Sequence, residues 1–268
     1  MDAAYLERFA GVARLVGRQG ARQLSQTSFI IVGLGGVGSW AAEALARSGV
    51  GQLTLVDGDT VCASNTNRQL HALEGYAGKF KAEVMAERVR AIHPAIRAQA
   101  VNRFIIKEEA ASFLNSHEGI VLDAIDSLSP KCALLAACRR AGRPALTTGG
   151  CAGRLDGTRV RVGDLAASKD DPLLRLVRKK LRQELGFPRK GPMGIACAWS
   201  DEPLVMAADC ADIPGAVLPE GEGLHPNCEW GYGTMAHVAG AFGLALAGEA
   251  IRIALAAAVA PGTDPSKD

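Results

Sequence analysis

No two of the chain's seven cysteines stand in a C-x-x-C pair. Their scatter argues against a structural zinc site and against a disulfide framework, and seven free thiols suit a reducing cytoplasm. Charge of one sign is also missing. Lys and Arg total 30 against 28 Asp and Glu, a net charge of +2, so only a local basic patch could draw the molecule to nucleic acid. The opening residues, MDAAYLERFAGVARLVGRQG, carry charges throughout and lack the apolar block of a signal peptide. There is no internal repeat. From Trp230 to Gly248 the only ionisable side chains are Tyr232 and His237, a length that could span a membrane. That run is mostly Ala and Gly, and Glu249 and Arg252 follow at once, so a buried core helix is expected there rather than a membrane span.

What is present is a regular alternation. Apolar runs at 28–33, 52–57, 97–101, 119–124 and 144–148 are separated by helix-like stretches near 37–48, 79–92, 107–117 and 130–141. This predicts βαβ units in a Rossmann-like, doubly wound α/β fold, a mostly parallel sheet with helices on both faces. Gly49 reads as a helix C-cap, and Ser129 as an N-cap with Pro130 in the first turn. After residue 150 the pattern loosens into one more strand in TRVRVGDLA, an amphipathic helix in DPLLRLVRKKLRQELG and a loop in FPRKGPMG. Residues 200–228 are rich in Pro, Gly and acid, ahead of the apolar helix and a polar tail. With 48% apolar residues, the 268-residue chain fits one domain, a nucleotide-binding core at about 26–150 followed by an extension over about 151–260.

The stretch IIVGLGGVGSW holds Gly33, Gly35 and Gly38 in G-x-G-x-x-G spacing between a strand and a helix. Such glycines let backbone N–H groups approach phosphate oxygens, and the helix dipole favours the negative charge. Asp57 at the end of the next strand sits where a ribose-binding carboxylate belongs, so a dinucleotide dehydrogenase is the default reading. The following residues favour a triphosphate instead. Asp59, Asn65, Asn67, Arg68 and Gln69 make an unusually polar loop, and Lys81 opens the next helix. A triphosphate needs its charge balanced and its leaving group stabilised, as Arg68 and Lys81 can do. Asp123 and Asp126 fall just past a strand end, and a carboxylate facing phosphates there is a natural Mg²⁺ ligand.

Taken together, G-x-G-G-V-G-S at Gly33–Ser39, D-x-D at Asp57–Asp59, N-x-N-R-Q at Asn65–Gln69, Lys81 and D-x-x-D at Asp123–Asp126 resemble the adenylating family of ubiquitin-activating enzymes. Its bacterial members activate the sulfur-carrier proteins of thiamine and molybdopterin synthesis. The resemblance implies that Gly33, Gly35, Gly36, Gly38 and Ser39 line the ATP phosphates, with Asp57 on the ribose beside Asp59. It implies that Asn67, Arg68 and Lys81 contact phosphates, that Asp126 binds Mg²⁺, and that Arg68, Lys81 and Asp126 form the catalytic set. The family takes a further arginine from the partner subunit's R-[YF]-x-R segment. Here that segment reads Arg8-Phe9-Ala10-Gly11, which leaves Arg14 as the candidate substitute across a homodimer.

The sulfur-carrier enzymes typically hold zinc with two C-x-x-C pairs, absent here. Instead NTNRQLHAL, KAEVMAERVRAIHP, DAIDSLSPKCAL, TTGGCAGRLDGT and ACAWSDEP resemble the tRNA threonylcarbamoyladenosine dehydratase branch. That resemblance implies ATP-dependent cyclisation of threonylcarbamoyladenosine at position 37 of tRNA. An adenylyltransferase for a carrier protein ending in Gly-Gly is the alternative. A dehydrogenase would leave Arg68, Lys81 and Asp126 without a task, and a non-catalytic RNA-binding scaffold would have no use for the phosphate set.

Two features lie outside the nucleotide site. Arg175, Arg178, Lys179, Lys180, Arg182, Arg189 and Lys190 make the one strong charge asymmetry of the chain. Such a helix is either a solvated face or the phosphate-binding surface that a tRNA substrate needs. Cys228 stands among glycines just before the apolar helix, where a helix N-terminus would raise its reactivity. Either it packs, or it carries a thioester or persulfide, which would bring in a cysteine-desulfurase or sulfur-acceptor partner. A bound monovalent cation is left open.

Overall fold

The computed structural model describes residues 3–205 and 232–257. Seven strands form one sheet in the order β3-β2-β1-β4-β5-β7-β6. β1 (Ser28–Val32), β2 (Gln52–Val56), β3 (Arg97–Val101), β4 (Ile120–Asp123), β5 (Ala145–Thr148) and β7 (Ala196–Ser200) run parallel, and β6 (Val160–Asp164) closes the edge antiparallel to β7. β1 and β4 are continuous apolar runs because helices cover both faces of the sheet. β3, on the edge, keeps a more open pattern. The five expected strands and four expected core helices are all found, as α2 (Gly36–Arg47), α3 (Lys81–Ile92), α4 (Ala110–Ser116) and α5 (Leu128–Arg140). α5 begins two residues earlier than its sequence suggests. Ser127 rather than Ser129 is the N-cap, and Pro130 still lies in the first turn.

Three elements were not legible as such. α1 (Ala3–Gln26) is a helix kinked at Phe9 and at Gly17 (φ 74°), whose few buried residues Tyr5, Phe9, Ala21 and Leu24 are too widely spaced to show a period. β7 is a five-residue strand inserted between β5 and β6. The third is the antiparallel course of β6, which no local signal dictates.

The apolar helix α7 (Ala236–Ala256) packs against α2 in the main core. Gly243 lets the two backbones meet, since a Cβ there would lie 2.5 Å from the Val37 carbonyl oxygen. Among the described residues α7 is the one helix long and apolar enough to cross a membrane, and half of its apolar window is buried inside the protein. α6 (Pro172–Glu184) begins with Asp171 as N-cap and Pro172 in the first turn, and buries Leu174, Val177 and Leu181 in a second cluster with α5 and β7.

Candidate active site

Strand order reverses between β1 and β4, and ligands of open α/β sheets bind at such a switch point, beyond the strands' carboxyl ends. A cavity of about 1170 Å³ lies there. Its floor is the glycine turn. Gly33 (φ 92°) donates to the Val56 carbonyl at 2.9 Å, and a Cβ on it would come 2.7 Å from the Ala124 carbonyl oxygen. A Cβ on Gly38 would lie 1.8 Å from the Gly33 carbonyl oxygen. Both glycines are therefore demanded by chain packing. Gly35 differs, because a Cβ there would meet only the Gln69 Nε2 at 3.9 Å. Its bare backbone opens on the cavity.

Asp57 holds this turn in shape. Its Oδ2 accepts from the Leu34 N–H at 2.7 Å and its Oδ1 from the Asp59 N–H at 2.8 Å. Burial raises its pKa above the ordinary carboxylate value, opposed by these two bonds and by Lys81. Lys81 is the first residue of α3, where the helix dipole disfavours a cation. Its buried ammonium lies 2.9 Å from Asp59 Oδ2, and a phosphate could serve as counterion in the same place. Arg68 Nη1 donates to the Ser64 carbonyl at 3.0 Å and to Asn67 Oδ1 at 2.9 Å. Two ties fix this loop. Trp40 Nε1 donates to the Arg68 carbonyl at 3.1 Å, and Asn67 Nδ2 to the Thr234 carbonyl at 2.8 Å. Asp126 is exposed on the loop after β4.

The cavity thus brings together Gly33, Gly35, Gly36, Asp57, Asp59, Asn67, Arg68, Lys81 and Asp126. It does not include three residues that the sequence also suggested. Gly38 is spent on the turn. Ser39 is buried, its hydroxyl 3.4 Å from the Gly36 carbonyl and accepting from the Leu70 N–H at 3.3 Å. Arg14 is exposed on α1, away from the cavity of its own chain. Cys228 lies outside the described residues.

The basic helix is less uniform than its sequence. Arg175 and Lys179, and beyond the helix Arg189 and Lys190, are exposed. Arg178 turns back to donate to Ser168 Oγ, and Arg182 donates to the Gly191 carbonyl at 3.0 Å. Lys180 is 4.0 Å from Glu184.

Two buried charges escaped the sequence reading. Lys131, fully buried in α5, lies 2.9 Å from Asp123 Oδ2 and donates to the Ile125 carbonyl at 2.8 Å. The first aspartate of D-x-x-D is therefore internally neutralised, and the second lines the cavity. Arg154, in the segment after β5, is buried against Asp171 and Glu202, and burial lowers its pKa from the ordinary arginine value. A lysine or arginine inside an otherwise small-residue run was the available signal, but it names no partner. The segment Arg103–Glu108 after β3 supplies another wall, with Phe104 lying over Gly58.

A switch-point cavity with a glycine floor, a loop arginine, a helix-opening lysine and strand-end carboxylates defines a Rossmann-like nucleotide-binding protein of the adenylating class. The chain belongs to the ThiF family, whose profile matches residues 7–265. It is 41% identical over 265 residues to the tRNA threonylcarbamoyladenosine dehydratase of Escherichia coli K12, covering 97% of each chain. It is 38% identical over 244 residues to the Haemophilus influenzae Rd protein of the same name, covering 89% of this chain and 90% of that one. The crystal structure of the E. coli dehydratase, TcdA, in complex with ATP matches with a TM-score of 0.85 at 40% identity, over 97% of this chain and 99% of that chain.

Proposed function

We propose that this protein is an ATP-dependent tRNA threonylcarbamoyladenosine dehydratase, which cyclises the threonylcarbamoyl group on adenosine 37. The observation that carries the reading is the convergence of Arg68, Lys81, Asp57 and Asp126 on one switch-point cavity. The dehydratase relatives match nearly the whole chain, which favours this over activation of a carrier protein.

A threonyl carboxylate oxygen attacks the α-phosphorus of ATP. The bond to the bridging oxygen breaks, pyrophosphate leaves, and an acyl-adenylate remains. A nucleophilic atom of the same modified nucleoside then attacks the acyl carbon, and AMP departs with the oxygen that the carboxylate contributed. The oxygen of the water formally lost thus leaves in AMP, and its hydrogens are released as protons. Ring closure is intramolecular, so proximity supplies much of its rate. Arg68 and Lys81 balance the charge that gathers on the phosphates, and the open Gly35 backbone admits them closely. Asp57 would hold the ribose. Both its oxygens already accept one backbone N–H, and each keeps room for a second donor.

Mg²⁺ fits this site as an ion carried in with the nucleotide. No group of three or more His, Cys, Asp or Glu able to hold a metal exists among the described residues, whereas a single carboxylate plus phosphates suits Mg²⁺. Asp126 would hold it, and the bound ion would offset phosphate charge. A homodimer would bring Arg14 of a second copy toward the cavity. The exposed Arg175, Lys179, Arg189 and Lys190 offer the tRNA backbone a surface. Scattered thiols suit a reducing cytoplasm.

The test is incubation with ATP, Mg²⁺ and tRNA bearing threonylcarbamoyladenosine, followed by mass spectrometry of the nucleosides. The expected result is loss of one water from that nucleoside, with AMP and pyrophosphate released and Lys81→Ala inactive. AMP formation only on addition of a Gly-Gly-tailed carrier protein would overturn the substrate assignment.

A further inference from the structure

The nucleotide residues occupy the cavity walls built from β1, β2 and β4. The opposite wall is the segment Thr148–Arg154 after β5, joined by Leu173 at the start of α6 and by Tyr232. Its one charged side chain, Arg154, does not point a free guanidinium at the ligand space. Nε donates to the Gly150 carbonyl at 3.1 Å, Nη2 to the Asp170 carbonyl at 3.1 Å, and Nη1 to the Glu202 carbonyl. Nη2 also lies 3.6 Å from Asp171 Oδ2, with both side chains essentially fully buried. That same Oδ2 accepts from the Gly150 N–H at 2.9 Å, while Oδ1 accepts from the Leu174 N–H at 2.8 Å and so caps α6.

The joint is tight. A Cβ on Gly149 would lie 2.1 Å from Asp171 Oδ2. Asp170 takes a left-handed backbone (φ 52°), alone among the described non-glycine residues, and its carbonyl accepts from Arg154. Backbone strain of this kind persists only where surrounding contacts over-determine it. A buried ion pair is a poor way to gain stability but can fix one geometry among several. Here it fixes the first turn of the basic helix to the β5 wall of the cavity.

We propose that Arg154 and Asp171 are positioning residues that join the RNA-facing helix α6 to the β5 side of the cavity, and that this side receives the modified nucleotide. tRNA held on α6 then sets the wall against which the threonyl carboxylate is presented, while the ATP side is left unchanged. The inference rests on the dehydratase reading.

The experiment compares full-length wild type with Arg154→Met and Arg154→Lys in three measurements. They are the ATP dissociation constant without RNA, the dissociation constant of unmodified tRNA, and kcat and KM with tRNA carrying threonylcarbamoyladenosine. In Arg154→Met the two dissociation constants are expected to stay within about twofold of wild type while kcat falls roughly 10- to 100-fold, the scale of a misplaced reacting group. Arg154→Lys keeps a charge near Asp171 but cannot serve three carbonyls, so it shows the same split to a smaller degree and stands in if the Met variant does not fold. Retention of kcat, or a rise in both dissociation constants as large as the fall in kcat, overturns the inference. A wild type that turns over no ATP with modified tRNA overturns the functional reading itself and this inference with it.

Discussion

Replacing Lys131 by Met removes a charge from the interior at nearly constant volume. Lys131 and Asp123 are both fully buried. Asp123 would keep its bonds from Thr147 Oγ1 at 2.6 Å and from the Ile125 N–H at 3.1 Å, but not its counterion. Breaking a buried pair from one side costs ~3–5 kcal/mol. The Ile125 carbonyl also loses its donor, which adds about 1 kcal/mol. The melting temperature should therefore drop by roughly 10 °C. The same change frees the loop 124–127 that carries Asp126, so ATP affinity should fall several-fold in whatever fraction remains folded. Urea unfolding at pH 7 measures the first effect and ATP titration the second. Asp123→Asn with Lys131→Met removes both charges and should regain more than half of the lost stability. A single variant within about 1 kcal/mol of wild type would show that the pair does not carry the cost assigned to a buried, uncompensated charge.

Further outcomes follow from other parts of the molecule. His71 is 1% exposed, and neither ring nitrogen has a partner among the described residues. Burial, aided by Lys81 and Arg88, lowers its pKa from 6.5 to about 4. Between those values the unfolded chain binds more protons than the folded one, so stability is fully present above about pH 6.5 and is lost as pH falls toward 4. The loss reaches up to about 3 kcal/mol, and His71→Leu should flatten that slope in urea titrations across the range. Gly35→Ala should fold normally and weaken ATP binding, whereas Gly38→Ala should fail to fold or melt far lower, because its Cβ would sit 1.8 Å from a backbone oxygen. Equal stability of the two variants would contradict the division of labour within the turn. Arg175→Ala and Lys179→Ala should each reduce the slope of log tRNA affinity against log salt by up to about one, each contact releasing roughly one counterion. Arg178→Ala should leave that slope unchanged, since its guanidinium is engaged with Ser168.

The side of the cavity proposed for the nucleotide was readable because its residues sit near strand ends or helix starts, places that periodicity and glycine spacing mark. Asp57, Lys81 and Asp126 all fall at such junctions. The other side was not readable, because it is made by long-range meetings. Arg154 finds Asp170, Asp171 and Glu202 only after α6 and β7 have docked, and neither the GGCAGR nor the SDEP segment carries a local pattern of its own. Ser39 lies away from the cavity for a related reason. Its position in the glycine motif suggests a phosphate contact, but the helix turns its hydroxyl toward Leu70. The basic helix was legible as a charge count but not as a surface, since two of its arginines are spent on neighbours.

The most direct test of the central claim follows one oxygen. tRNA carrying threonylcarbamoyladenosine labelled with ¹⁸O in the threonyl carboxylate is turned over with ATP, and the nucleotide products are weighed. Attack of the carboxylate on the α-phosphorus, at the site formed by Arg68, Lys81 and Asp126, transfers one labelled oxygen to AMP and none to pyrophosphate. Label released as water, or found in pyrophosphate or phosphate, would mean that no acyl-adenylate forms and that the cavity does other chemistry.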